Sequence, residues 1–180
     1  MNKRRQTGLI IVYTGNGKGK TTAALGTALR ACGYGKKVLM IQFLKGTIQS
    51  GELHAAKKLA ALLEIIPAGR GYYKIKGDAA TEEDHKSAAQ NALRLAHKAL
   101  KSKKYFLVIL DEVNVALKLK LIAVQDILNL LDKKPAKLHL ILTGRNAHRL
   151  IRECADLVTE FRNVKHPFDE GITAQMGIDF

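Results

Sequence analysis

GLIIVYTGNGKGKTT, Gly8 to Thr22, is the stretch that decides the fold: a short apolar, β-rich run from Gly8 to Tyr13 enters a glycine-rich turn, and a helical stretch from about Lys20 to Cys32 leaves it. Gly15, Gly17 and Gly19 free the backbone to curl its amides inward, and the start of the following helix adds its own N–H groups, so the turn is built to hold an anion. Lys20 supplies a cation for phosphates, and the Thr21 hydroxyl can reach a phosphate-bound Mg²⁺. Gly15, Asn16, Gly17, Lys18, Gly19, Lys20, Thr21 and Thr22 are therefore the candidate nucleotide-binding residues. One position departs from the usual pattern, because Thr14 stands where the first glycine of G-x-x-x-x-G-K-[ST] belongs. Lys18 is either a solvated loop lysine or a second grip on a leaving group of high negative charge.

Outward from the loop, KVLMIQFL (Lys37–Leu44) is apolar throughout rather than alternating, as a strand covered on both faces requires. A helix near Glu52–Leu62 and a strand at Glu64–Ile66 follow in a glycine-punctuated segment. Thr81 with Asp84 forms a capping-box signature, after which Ala88, Ala92, Leu95, Ala96 and Ala99 share one helical face down to about Lys101. Strands at Tyr105–Leu110, Leu138–Thr143 and Leu157–Phe161 alternate with helices at Val124–Leu131 and Ala147–Cys154, and an irregular tail ends the chain. This order predicts an α/β fold of the P-loop NTPase-like, RecA-like kind: a mostly parallel sheet with helices on both faces. Asp111 and Glu112 close the strand Tyr105–Leu110 as two acids at its exposed end, where a carboxylate can meet the metal held by Thr21. Which of the two approaches the metal directly is left open by the sequence.

The whole chain bounds this reading. Its 180 residues suit one domain, residues 1–180, able to bury roughly 70% of the unfolded surface. No apolar run approaches the ~20 residues of a membrane-spanning helix, and MNKRRQT lacks the apolar stretch of a signal peptide, so a cytoplasmic protein with no membrane partner is expected. Cys32 and Cys154 are too few for a disulfide framework or a zinc site and read as buried free thiols. A net charge of +14 matches the footprint of a nucleic-acid binder, and a RecA-like nucleic-acid-stimulated ATPase is the alternative it favours. The basic residues are spread along the chain without interleaved aromatics, however, and small polyanions explain the charge equally well, so no nucleic acid is expected. A binding module without turnover is a third reading.

Motif physics stops at a nucleoside-triphosphate site with Mg²⁺. The stretches GLIIVYTGNGKGKTTAALGTALRACGYGKKVLMIQFLKG, LVILDEVNVAL and LTGRNAHRLIRECADLVTEFRNVKHPFDEGITAQMGIDF together resemble the P-loop type ATP:corrinoid adenosyltransferases over nearly the whole chain after the first seven residues. QFLKG and the VKHPFDEG…GI ending are more particular to that family than the phosphate loop. The resemblance implies transfer of the 5′-deoxyadenosyl group of ATP to the Co(I) of a reduced corrinoid, cobalamin or a precursor such as cobyrinic acid a,c-diamide or cobinamide, with release of inorganic triphosphate. It implies ATP lying reversed in the loop, Mg²⁺ with Mn²⁺ as the alternative, a flavoprotein reductase as electron donor and a homodimer. Lys20 and Glu112 become the catalytic residues, with Thr21, Glu112 and nearby Asp111 holding the metal. Arg145, in TGR after a strand, is either a contact to nucleotide or corrinoid or a surface arginine following a turn.

Two departures stand out. Relatives that bind complete cobalamin often carry a Phe-x-Trp pair in the middle loop, whereas GYYKIKG places Tyr72 and Lys74 there and the chain has no Trp. The amino-terminal extension of some relatives is nearly absent, with MNKRRQT alone before the first strand. Tyr72 and Tyr73 either line a corrinoid face or pack locally. His54, His85, His97, His139 and His148 are read as ordinary helix, strand or surface residues, His166 as a structural hydrogen-bonding group or a catalytic part of the tail, and Met176 as a packing residue.

Overall fold

Residues 7–46, 50–59, 61–71, 73 and 80–180 are described by this computed structural model of the chain. The elements follow in the order β1 (Ile10–Thr14), α1 (Lys20–Gly33), β2 (Val38–Gln42), α2 (Gly51–Lys58), β3 (Leu63–Pro67), α3 (Glu82–Lys101), β4 (Leu107–Asp111), α4 (Val113–Lys118), α5 (Val124–Asp132), β5 (His139–Thr143), α6 (Arg149–Glu153) and β6 (Leu157–Glu160). The strands form one sheet in the order β3-β2-β4-β5-β1-β6, and all five pairings are parallel. Parallel neighbours need crossovers, which the intervening helices supply. Among the described residues no helix is long and apolar enough to cross a membrane.

Every residue of β2 and β4 is buried, as expected for strands covered on both faces. Alternate side chains feed two cores. Ile11, Val38, Met40, Leu107, Ile109 and Ile141 pack under α1 and α2, while Val12, Leu39, Ile41, Val108, Leu110 and Leu142 pack under α3, α4, α5 and α6. Truncating a fully buried member such as Ile109 to Ala costs about 2–5 kcal/mol, since the surrounding sheet cannot collapse onto the void. The α1 face presents Ala24, Ala28 and Ala31, small enough to bring the helix, and so the phosphate loop ahead of it, close against the sheet.

The Thr81–Asp84 capping box forms as the sequence suggests: the Asp84 N–H donates to Thr81 Oγ1 and the Thr81 N–H to Asp84 Oδ2. The buried face of α3 is centred on His85, Ala89, Ala92, Leu93, Ala96, Ala99 and Leu100, so the expected stripe is rotated and Ala88 and Leu95 flank it. Helix α4 was not expected, because at 6 residues it is too short for a helical period to show against its β-branched start. Of the two free cysteines Cys32 is buried but Cys154 is exposed, since it caps the C-terminal end of the five-residue α6. Met176 is exposed as well, because the tail after β6 has no element above it to pack against.

Candidate functional site

The C-terminal ends of β1, β4 and β5 meet at one edge of the sheet, where doubly wound folds gather their ligands. The loop between β1 and α1 curls there around the Lys20 side chain, whose Nζ donates to the Gly17 carbonyl at 2.7 Å. Its backbone is jammed against the chain that leaves β6. The Gly17 N–H donates to Phe161 O at 2.7 Å, and a Cβ at Gly15 or Gly17 would stand 2.4 Å from Phe161 O or 2.5 Å from Arg162 O. Gly15 also has φ +94, so both steric and conformational demands select glycine. The first turn of α1 holds no acidic side chain, leaving its amides and dipole to an outside anion.

Strand β5 lies between β1 and β4, so the acids are reached across it by hydroxyl groups. Thr21 Oγ1 and Thr143 Oγ1 each donate to Asp111 Oδ1 at 2.8 Å, and the Glu112 N–H donates to Thr143 Oγ1 at 2.9 Å. Asp111 is thus not the exposed strand-end acid that the sequence suggested: it is fully buried inside β4. Burial pushes its carboxyl up, against the Thr143 and Thr21 hydroxyls, which favour the carboxylate. Glu112 turns out of the strand in a left-handed conformation, φ 59, as the residue before α4. Burial and then the Asp111 charge push Glu112 up to about 7, opposed by Lys20, Arg145 and Lys45. Burial lowers Lys20, with Glu112 opposing and Arg145 reinforcing the effect.

These groups line a cleft of about 710 Å³ that runs from the loop residues Asn16–Thr22 past Lys45, Glu52, Glu112 and Arg145. The structure therefore brings together the sequence-predicted residues of the loop, Glu112 and Arg145, with Asp111 directly behind Thr21. The donor set is hard oxygen: the Thr21 hydroxyl, Glu112 and Asp111, whose Oδ2 is buried without a protein hydrogen-bond partner among the described residues. A Mg²⁺ or Mn²⁺ ion fits such donors. No cluster of three or more His, Cys, Asp or Glu exists among the described residues, so phosphate and water oxygens would complete its shell.

Several contributors were not singled out from sequence. Thr143 bridges the two acids. Lys45 pairs with Glu52 at 2.5 Å in the same cleft, and Gln42 Nε2 donates to the same Glu52 oxygen at 3.1 Å. QFLKG holds Gln42 and Lys45 and was the available signal. Asp179 of the tail pairs with Lys18 at 2.5 Å, so Lys18 is not simply solvated. His166 Nδ1 accepts the Phe168 N–H at 3.2 Å, the structural bond that was one of its two readings. His148 Nδ1 caps α6 by accepting the Leu150 N–H. Tyr73 packs edge-on against His85, the local alternative, whereas Tyr72 and Lys74 lie outside the described residues.

A glycine loop curled at a helix N-terminus, a lysine inside it and a buried acid on a strand one removed define a RecA-like P-loop nucleotide-binding fold. A KaiC-like protein from Pyrococcus horikoshii OT3 shares this fold, with a TM-score of 0.52 at 17% identity over 86% of this chain and 73% of that one. Residues 6–180 match the family described as ATP:corrinoid adenosyltransferase BtuR/CobO/CobP. The corrinoid adenosyltransferase of Escherichia coli K12 is 39% identical over 97% of this chain and 87% of its own length. Those of Salmonella typhimurium and Pseudomonas aeruginosa are 37% and 36% identical, each over 98% of this chain and over 88% and 86% of their own. The chain belongs to the ATP:corrinoid adenosyltransferase family.

Proposed function

We propose that this chain, acting as one α/β domain, transfers the 5′-deoxyadenosyl group of ATP to the Co(I) of a reduced corrinoid and releases inorganic triphosphate. The observation that carries this reading is the phosphate grip itself, Lys20 folded inside the glycine loop with Thr21 tied to Asp111, in a chain of that family. The Co(I) electron pair attacks C5′, the Co–C bond forms, and the C5′–O bond breaks with its electrons passing to the triphosphate. No proton is moved, so the protein's task is to place C5′ and to stabilise charge growing on the leaving group. Lys20, the loop amides, the start of α1 and Arg145 do this. Thr21 and Glu112, with Asp111 behind them, would hold Mg²⁺ or Mn²⁺. When bound, such an ion neutralises part of the triphosphate charge. Asp111 then acts through Thr21 and Thr143, both of which it orients.

Purified protein given ATP, Mg²⁺ and chemically reduced corrinoid should consume Co(I) and yield triphosphate; ADP formed without a Co–C bond would reject the reading. The same reading extends to a flavoprotein reductase as electron donor, tested by replacing the chemical reductant with that enzyme. It extends also to a homodimer, tested by sedimentation, and to a cytoplasmic location, tested by fractionation.

A further inference from the structure

Thr14 is the one place where the loop departs from its usual pattern, and the structure gives its side chain a task. It ends β1, is buried, and its Oγ1 accepts the N–H of Ala147 at 3.1 Å across the sheet edge. Ala147 closes the turn after β5 that carries Arg145 into the cleft. That turn is irregular, with Gly144 at φ +123 and Asn146 at φ +58, and among the described residues no backbone hydrogen bond forms within residues 144–147 to define its course. Two tethers fix its start: the Gly144 N–H donates to Tyr13 O at 3.1 Å, and Asn114 Nδ2 donates to Gly144 O at 3.4 Å. Thr14 supplies the tether at its end, and Arg145 lies between them. A glycine at position 14 would leave the buried Ala147 N–H without this acceptor, and the turn would move to find another.

We infer that Thr14 is a positioning residue: through the Ala147 N–H it fixes the turn that aims Arg145 at the triphosphate beside Lys20. This rests on the reading of Arg145 as a phosphate contact. Arg145 lines the same cleft as Lys20 and Glu112, which agrees with that contact.

The test is a cycle of Thr14→Val, Arg145→Ala and the double variant, with Thr14→Ser as the conservative control and Thr14→Gly as a second variant should valine prevent folding. The readouts are KM for ATP, kcat, and inhibition by inorganic triphosphate, with thermal melting to confirm the fold. Thr14→Val should weaken triphosphate inhibition about tenfold, the scale of one buried hydrogen bond. Thr14→Ser should stay within about twofold of the parent, and the double variant should be no worse than Arg145→Ala. Full additivity with an impaired Arg145→Ala, or equal loss in the serine variant, would overturn the inference while leaving Arg145 as a phosphate contact. An Arg145→Ala variant with unaltered triphosphate inhibition would overturn that contact, and the inference with it.

Discussion

The phosphate loop and the tail that crosses it are built by opposite means. Residues 15–22 take their shape from steric limits and from a lysine buried inside the turn. Residues 162–180 are almost all exposed, carry a single short 3-10 turn at Pro167–Glu170, and meet the loop through the Arg162 carbonyl against Gly17 and the Lys18–Asp179 pair. The same contrast, in milder form, separates two ion pairs of equal length, 2.5 Å, on the cleft: Lys45 and Glu52 are 35% and 11% exposed, Lys18 and Asp179 41% and 27%. Groups that need fixed geometry therefore lie on the loop and sheet, and the tail adds charge where solvent already competes.

The largest effect should come from the loop. Lys20→Ala should lower kcat/KM by ~10²-fold or more, the scale of one lost transition-state contact, with the fold retained by circular dichroism. Next comes the line where loop and tail meet. Gly17→Ala places a methyl 2.5 Å from Arg162 O, so it should lower stability by ~1–3 kcal/mol on thermal melting and weaken ATP binding together, as the backbone must shift. If binding fell while the melting temperature stayed at the parent's value, the jammed contact would not be what shapes the loop.

The half-buried Lys45–Glu52 pair gives the third prediction. Burial raises the Glu52 carboxyl, but the Lys45 bond and the residue's own backbone N–H outweigh it and hold Glu52 at about 2, against an ordinary 4.5. A depressed carboxylate stabilises the fold above its unfolded pKa, and the gain is lost as pH falls through the folded value. Glu52→Gln should therefore cost ~2 kcal/mol near neutrality, with the gap to the parent closing between about pH 4.5 and 2. A gap that does not change with pH would contradict the ionic origin. The smallest effect is expected for Asp179→Asn, which should change ATP affinity only a few-fold and only at low salt. Lys18→Ala should slow turnover more than a change at the distant Lys36, and equal small effects would remove Lys18 from the leaving-group grip.

The legible parts of the sequence were those fixed by local rules. Gly15 to Thr22 between an apolar run and a helix announces its own geometry, and β2 and β4 announce their double cover by unbroken apolarity. What depended on contacts distant in sequence stayed hidden. Asp111 reads as an exposed acid beside Glu112, yet Thr21 from α1 and Thr143 from β5 draw it into the strand. The fourth helix was hidden by its length, and the exposure of Cys154 and Met176 by the absence of any local pattern that marks an uncovered end. Thr14 was visible as a departure, but its partner Ala147 stands 133 residues away.

The central claim is that carbon rather than phosphorus is attacked. ATP carrying ¹⁸O in the bridge between C5′ and the α-phosphorus decides it in one turnover with Co(I) corrinoid. We predict all of the label in inorganic triphosphate, in equal amount to alkylated corrinoid. Label retained on the adenosine, or ADP and phosphate beside unalkylated cobalt, would contradict the account.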